Sequence, residues 1–93
     1  MTENPSSAPS LDAQADVIEP SLQEWHRTNL VNVWLYEQNP TWGPMGRLDK
    51  PVQFHLHRVG VITQPTGPTH TTPVGAHLAA RLRAAQLAKR VRP

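Results

Sequence analysis

Two histidines one residue apart come nearest, by type and spacing, to a chemical site. His55 and His57 lie in the stretch from Val52 to Thr63, where apolar and polar residues alternate as in a half-buried β-strand. On a strand both imidazoles would point to the same side, a spacing that some zinc sites use. Two ligands do not complete such a site, and no carboxylate lies nearby in a recognised pattern. We therefore predict no metal site and no cofactor.

Other catalytic motifs are missing from the sequence. There is no nucleophile elbow, no glycine-rich phosphate loop and no His-Glu-x-x-His motif. Most of the seven acidic residues lie near the N-terminus or at predicted helix and turn positions. We therefore predict a protein that is not an enzyme.

The clearest structural element is a basic C-terminal helix over residues 73–93. Thr72 suits the N-cap and Pro73 the first helical position, and alanine and leucine follow, with cations toward the end. At about 100° per residue, the apolar residues form two stripes. The first stripe contains Leu78, Leu82 and Ala85, and the second contains Ala80, Ala84, Leu87, Ala88 and Val91.

Three interpretations of this helix remain open. In the first, the helix packs on its own domain and its basic side faces solvent. In the second, one apolar stripe packs on the protein's own domain and the other contacts a partner. In the third, its cations bind phosphate. A constrained loop over residues 41–51 adds an exposed-aromatic candidate. The candidate interface residues are Trp42, Leu78, Leu82, Leu87 and Val91, and the candidate nucleic-acid-binding residues are Arg81, Arg83, Lys89, Arg90 and Arg92.

Length and composition limit the size of the core. The chain has 93 residues, ten prolines, no cysteine and only 38% hydrophobic residues, so one small domain is the most it can form. No apolar run approaches the roughly 20 residues that span a bilayer, and no basic-then-apolar leader is present. We expect a soluble cytoplasmic or virion protein without a membrane partner.

Charge is divided unequally between the two ends of the chain. Residues 1–20 carry four acidic residues and no lysine or arginine, whereas residues 74–93 carry five cations and no acid. The two ends therefore either attract each other within one molecule or meet complementary surfaces on neighbouring molecules.

The sequence predicts a small α+β fold. An S-x-x-E capping box at Ser21 starts a short helix, and strands at 30–36 and 52–63 form an antiparallel pair covered by the C-terminal helix. A single helix over 21–38 is the alternative, and Asn39-Pro40 ends the element in both cases. The predicted organisation is an acidic, disordered or partner-ordered extended arm (1–20), a central domain (21–63), a linker (64–72) and the basic helix (73–93).

These features favour a non-enzymatic structural or adaptor subunit that docks into a larger protein assembly, such as a phage virion or a multi-subunit complex. The arm and the C-terminal helix would make the contacts. The expected partners are other protein subunits, including further copies of the chain itself. The alternative function is a nucleic-acid-binding module that uses the basic helix.

Overall fold

The structure, a computed structural model, describes residues 10–90, and within this range it is all-helical. Its helices are α1 (Leu11–Ile18), α2 (Glu24–Gln38), α3 (Lys50–Arg58) and α4 (Pro73–Arg90), with short 3₁₀ turns at Glu19–Ser21 and Pro40–Trp42. The predicted α+β fold is therefore wrong. The segment 30–36 lies within α2 and most of 52–63 lies in α3, so the antiparallel strand pair does not form.

α2 is a single helix because its buried residues follow the helical period. His26, Leu30 and Val33, four and three residues apart, are all buried, and this face overrides the β-propensity of the neighbouring residues. The alternative of one continuous helix was thus correct in kind, and the helix ends at Gln38, before Asn39-Pro40, as predicted.

The start of α2 differs from the predicted capping box. Gln23 occupies the N-cap, and its backbone N–H donates to Nδ1 of His26 at 2.9 Å. Ser21 instead belongs to the preceding 3₁₀ turn, where its hydroxyl donates to the carbonyl of Ile18 at 2.7 Å. The predicted capping box at Ser21 and Glu24 was wrong because the N-cap is Gln23, whose backbone N–H is satisfied by the side chain of His26.

α3 replaces the second predicted strand. Val52 and Leu56 are buried four residues apart on one helical face, while Phe54, which a strand would have placed beside them, is 51% exposed. Asp49 precedes the helix and Pro51 lies in its first turn, where a missing N–H costs nothing.

α4 begins where the sequence predicted. Thr72 caps it, since its hydroxyl oxygen accepts from the Gly75 N–H at 3.1 Å. α1 and α2 both pack against α4, and α3 packs against α2. Residues 11–18 of the predicted arm are thus helical and docked rather than extended, whereas residues 1–9 lie outside the described range.

The core lies where α4 meets α1, α2 and the segment that follows α3. Within residues 10–90 the extended pairing is limited to a bridge between Ile62 and Thr71, which brings that segment against the start of α4. Among the helices of this range, none is both long and apolar enough to cross a membrane. The core cluster contains Ala15, Leu22, Leu30, Val31, Val52, Leu56, Val61, Ile62, Val74, Leu78, Ala79 and Leu82.

Candidate interaction surface

Opposite charges on α1 and α4 meet in the same molecule. Arg81 of α4 pairs with Asp12 at 2.8 Å, with Asp16 at 3.0 Å and with Glu19 at 2.8 Å. These acids are four and three residues apart, so they share one face of the α1 segment. His77, one turn before Arg81, adds a contact from its Nε2 to Asp12 at 3.1 Å. At this contact, the acidic N-terminal segment and the basic C-terminal helix therefore attract each other within one molecule.

These contacts shift two pKa values in the direction that favours the ion pairs. The hydrogen bond from His77, followed by that from Arg81, lowers the pKa of Asp12. Hydrogen bonds from Asp12, Asp16 and Glu19 raise the pKa of the Arg81 guanidinium. Arg81, a candidate phosphate ligand in the sequence, is thus already occupied by three carboxylates.

The two apolar stripes of α4 have different environments. Leu78 and Leu82 of the first stripe are buried in the protein's own core. The second stripe is exposed along its described length: Leu87 is 44% exposed, and Ala80, Ala84 and Ala88 are also exposed. No residue after Leu82 is buried, up to the end of the described helix at Arg90. Val91, the remaining interface candidate on this stripe, lies outside the described residues.

The cations near the end of α4 have no ion-pair partner in the part of the chain that the structure describes. Within residues 10–90, Arg83, Lys89 and Arg90 have no carboxylate partner, in contrast to Arg81. Arg83, Leu87 and Arg90 are four and three residues apart and therefore share one side of the helix. We call this side, together with the exposed alanines Ala80 and Ala84, the outer face of α4. Arg92 lies beyond the described residues.

Large aromatic side chains are exposed elsewhere on the protein. Trp42 is 54% exposed in its 3₁₀ turn, where its ring meets that of Tyr36 edge to face with centroids 5.2 Å apart. Trp42 therefore packs against Tyr36 and still exposes about half of its surface to a partner. Trp25 on α2 is 57% exposed and was not among the sequence candidates. Its i, i+4, i+7 spacing from Asn29 and Asn32 would have indicated a polar, outward side of α2.

The histidine pair predicted on a strand is separated by the helix. His55 and His57 are two residues apart on α3, about 200° around its axis, so they do not share a face. His55 instead stacks on His26 with ring centroids 4.2 Å apart, and its Nε2 lies 2.9 Å from the Ser21 carbonyl oxygen. Desolvation, and then the charge of His55, lower the pKa of His26. Among the described residues, no three metal-binding side chains converge.

Comparison with protein-family models, with curated proteins and with solved structures finds no match to this chain. The fold described above thus defines its class as a small helical protein.

Proposed function

We propose that this protein is a small, non-enzymatic adaptor or structural subunit that docks into a larger protein assembly through the outer face of α4. The observation that carries this proposal is that α4 continues well beyond its last residue in the hydrophobic core. Its buried residues end at Leu82, but the helix continues for eight described residues to Arg90. At about 1.5 Å per residue, this end extends about 12 Å.

The chemistry of the outer face suits a protein partner with acidic residues around an apolar depression. Leu87 supplies an apolar side chain, and small alanines beside it allow another helix or sheet to approach closely. Arg83 and Arg90 flank Leu87, so a partner with carboxylates at matching positions would gain orientation and specificity. Trp42 offers a second anchor, because exposed tryptophan contributes much contact area at interfaces.

The role of the acidic segment changes from that expected in the sequence. Because α1 is held on α4 by Arg81 and His77, its described residues stabilise α4 within the molecule. Docking is therefore proposed for the outer face of α4, which the α1 carboxylates do not occupy.

The test is cross-linking and affinity purification of the tagged full chain from the cells or particles that produce it. Leu87→Glu places a carboxylate between two cations on the outer face and should remove a defined set of co-purifying proteins. Val17→Glu is the matched control, since Val17 is also an exposed apolar residue, at 79%, but belongs to α1. Retention of the same proteins by Leu87→Glu and Val17→Glu would contradict the proposal.

The unpaired cations favour nucleic acid binding as the second candidate function. Arg83, Lys89 and Arg90 could contact phosphates without first breaking an ion pair in the described chain. This function predicts affinity for a fluorescent RNA or DNA duplex that falls steeply with salt, and its loss in Arg83→Ala/Arg90→Ala. Weak binding that is insensitive to both changes would remove this candidate and leave protein docking.

A further inference from the structure

A cavity between two loops and the start of α3 has the composition of a ligand site. Its volume is about 650 Å³, within the range of about 300–1,000 Å³ typical of small-molecule sites. Two proline- and glycine-containing loops, 44–48 and 66–70, form its walls, and α3 contributes Lys50 and Gln53. The apolar wall residues are Pro44, Met45, Leu48 and Pro68.

Gln53 is the buried polar residue of the cavity, with 5% of its surface exposed. Its Nε2 donates to the Gln64 carbonyl at 3.1 Å and to the Gly67 carbonyl at 2.9 Å. Both partners are acceptors, so the amide nitrogen must face them and the carboxamide oxygen must face away. That oxygen has no hydrogen-bond partner among residues 10–90 and is not sealed from solvent. Gln53 therefore holds one wall of the cavity in place, and its oxygen remains able to accept a hydrogen bond.

The loop that Gln53 holds is shaped for this contact. Gly67 has φ +74°, a left-handed conformation that residues with a side chain rarely adopt, and its carbonyl accepts one of the two bonds. On the far side of the same loop, the Thr71 N–H donates to Glu37 of α2 at 2.7 Å. The wall is thus fixed from both sides before any ligand enters, which lowers the entropic cost of binding.

The charged residues of the cavity are all cationic. Arg47 and Lys50 have no ion-pair partner within the described chain, and no aspartate or glutamate lines the cavity. His70, the third basic side chain, lies 3.4 Å from Glu37 through its Nδ1. The cavity therefore combines two free cations, an apolar wall and one free acceptor.

We propose that this cavity binds a small organic anion. Its carboxylate or phosphate group lies at Arg47 and Lys50, its apolar body lies against Met45 and Leu48, and a hydroxyl or amino group donates to the Gln53 oxygen. This site is separate from the outer face of α4, and it does not depend on the docking proposed above.

The test is a titration of the isotope-labelled full chain followed by ¹H–¹⁵N NMR, with simple aromatic probes. 4-Hydroxybenzoate carries all three features, benzoate lacks the donor and phenol lacks the anion. We expect saturable shifts at the Gly46 and Gly67 amides and the Gln53 side-chain amide. 4-Hydroxybenzoate should bind roughly threefold to tenfold more tightly than either benzoate or phenol. Replacing benzoate by phenyl phosphate then shows which anionic group the site prefers.

Two exposed cations supply the variants and a third supplies the control. Arg47→Ala and Lys50→Ala should each weaken benzoate binding by roughly threefold or more, whereas Lys89→Ala, on α4, should leave it unchanged. Varying the ligand tests the Gln53 oxygen without releasing the loop that this residue holds. Failure of all the probes to produce saturable shifts, equal affinity for phenol and benzoate, or equal weakening by Lys89→Ala would each overturn the proposal.

Discussion

Replacing Gly75 by alanine tests a close approach between the backbones of α4 and Val61. Gly75 is buried in the first turn of α4, and a Cβ there would overlap the carbonyl oxygen and carbon of Val61. That carbonyl accepts the Thr72 N–H at 3.1 Å, so it cannot rotate away without breaking a hydrogen bond. The Thr72 hydroxyl, which also donates to Gly60 at 2.6 Å, fixes the same segment a second time.

Three contributions, one stabilising and two destabilising, determine the change in unfolding free energy. In an unstrained helix, glycine to alanine stabilises by about 1 kcal/mol through helix propensity. Overpacking against backbone costs about 1–3 kcal/mol, and loss of the Thr72 to Val61 hydrogen bond costs about 1 kcal/mol. We therefore expect Gly75→Ala to lower the free energy of unfolding by about 1–3 kcal/mol.

Urea unfolding followed by far-ultraviolet circular dichroism measures this change. Gly46→Ala is the matched control, since nothing lies within 4 Å of a Cβ at Gly46 and its φ is not positive. We expect that control to be neutral or stabilising by up to about 1 kcal/mol. If Gly75→Ala were as stable as the wild type, α4 would not approach Val61 as the structure shows, and the reasoning would fail.

Three further predictions concern charge and burial. Burial lowers the folded-state pKa of His26 below 6.5, so the unfolded chain takes up the proton first as the pH falls. The contribution of His26 to stability should therefore be fully present above about pH 6.5, and the free energy of unfolding should fall by up to about 1.4 kcal/mol per pH unit below it. His26→Gln should flatten this slope in urea titrations at several pH values. Arg81→Ala should lower the melting temperature at low salt and less so at high salt, whereas Arg83→Ala, which has no carboxylate partner among residues 10–90, should show no such difference in thermal melts. Leu56→Ala, at a fully buried position, should cost about 2–5 kcal/mol in urea unfolding, and Phe54→Ala on the same helix should cost clearly less because half of Phe54 is already exposed.

Two local signals located helix ends in this sequence, whereas the predicted start at Ser21 and the two predicted strands were wrong. Thr72-Pro73 and Asn39-Pro40 act through their own backbone and side chains, and the structure places helix boundaries at both. The strand predictions failed because Val52, Phe54 and Leu56 satisfy a period of two and, through Val52 and Leu56, also the helical i, i+4 spacing.

Flanking residues would have resolved that ambiguity for α3. Asp49 and Pro51 form a helix-start pattern, and tertiary packing rather than intrinsic preference decides the state of a short apolar segment. The burial of Gln53, by contrast, has no local signal. It follows from two carbonyl groups 11 and 14 residues further along the chain, which the sequence does not reveal as neighbours.

The charge contact was foreseen only as one of two outcomes. The sequence showed that the ends of the chain are oppositely charged, but not whether they meet within one molecule. A helical spacing is present at both ends: Asp12, Asp16 and Glu19 are four and three residues apart. His77 and Arg81 are four residues apart, so each set would lie on one helical face and the two faces would carry complementary charges. That signal requires the N-terminal segment to be helical, and its composition predicted the reverse.

At the end of α4, residues that stabilise the helix can be distinguished from a residue that only a partner would require. A helix as short as its last eight residues is not stable alone in water, so it depends on the packed turns before it. Lysine and arginine near the C-terminus complement the helix dipole, so Lys89 and Arg90 have a role in stability without any partner. Leu87 has no such role, because it is 44% exposed and lies beyond the last buried residue. Leu87→Glu should therefore change the free energy of unfolding by no more than about 0.5 kcal/mol, and a loss of docking in this variant would report on the surface alone.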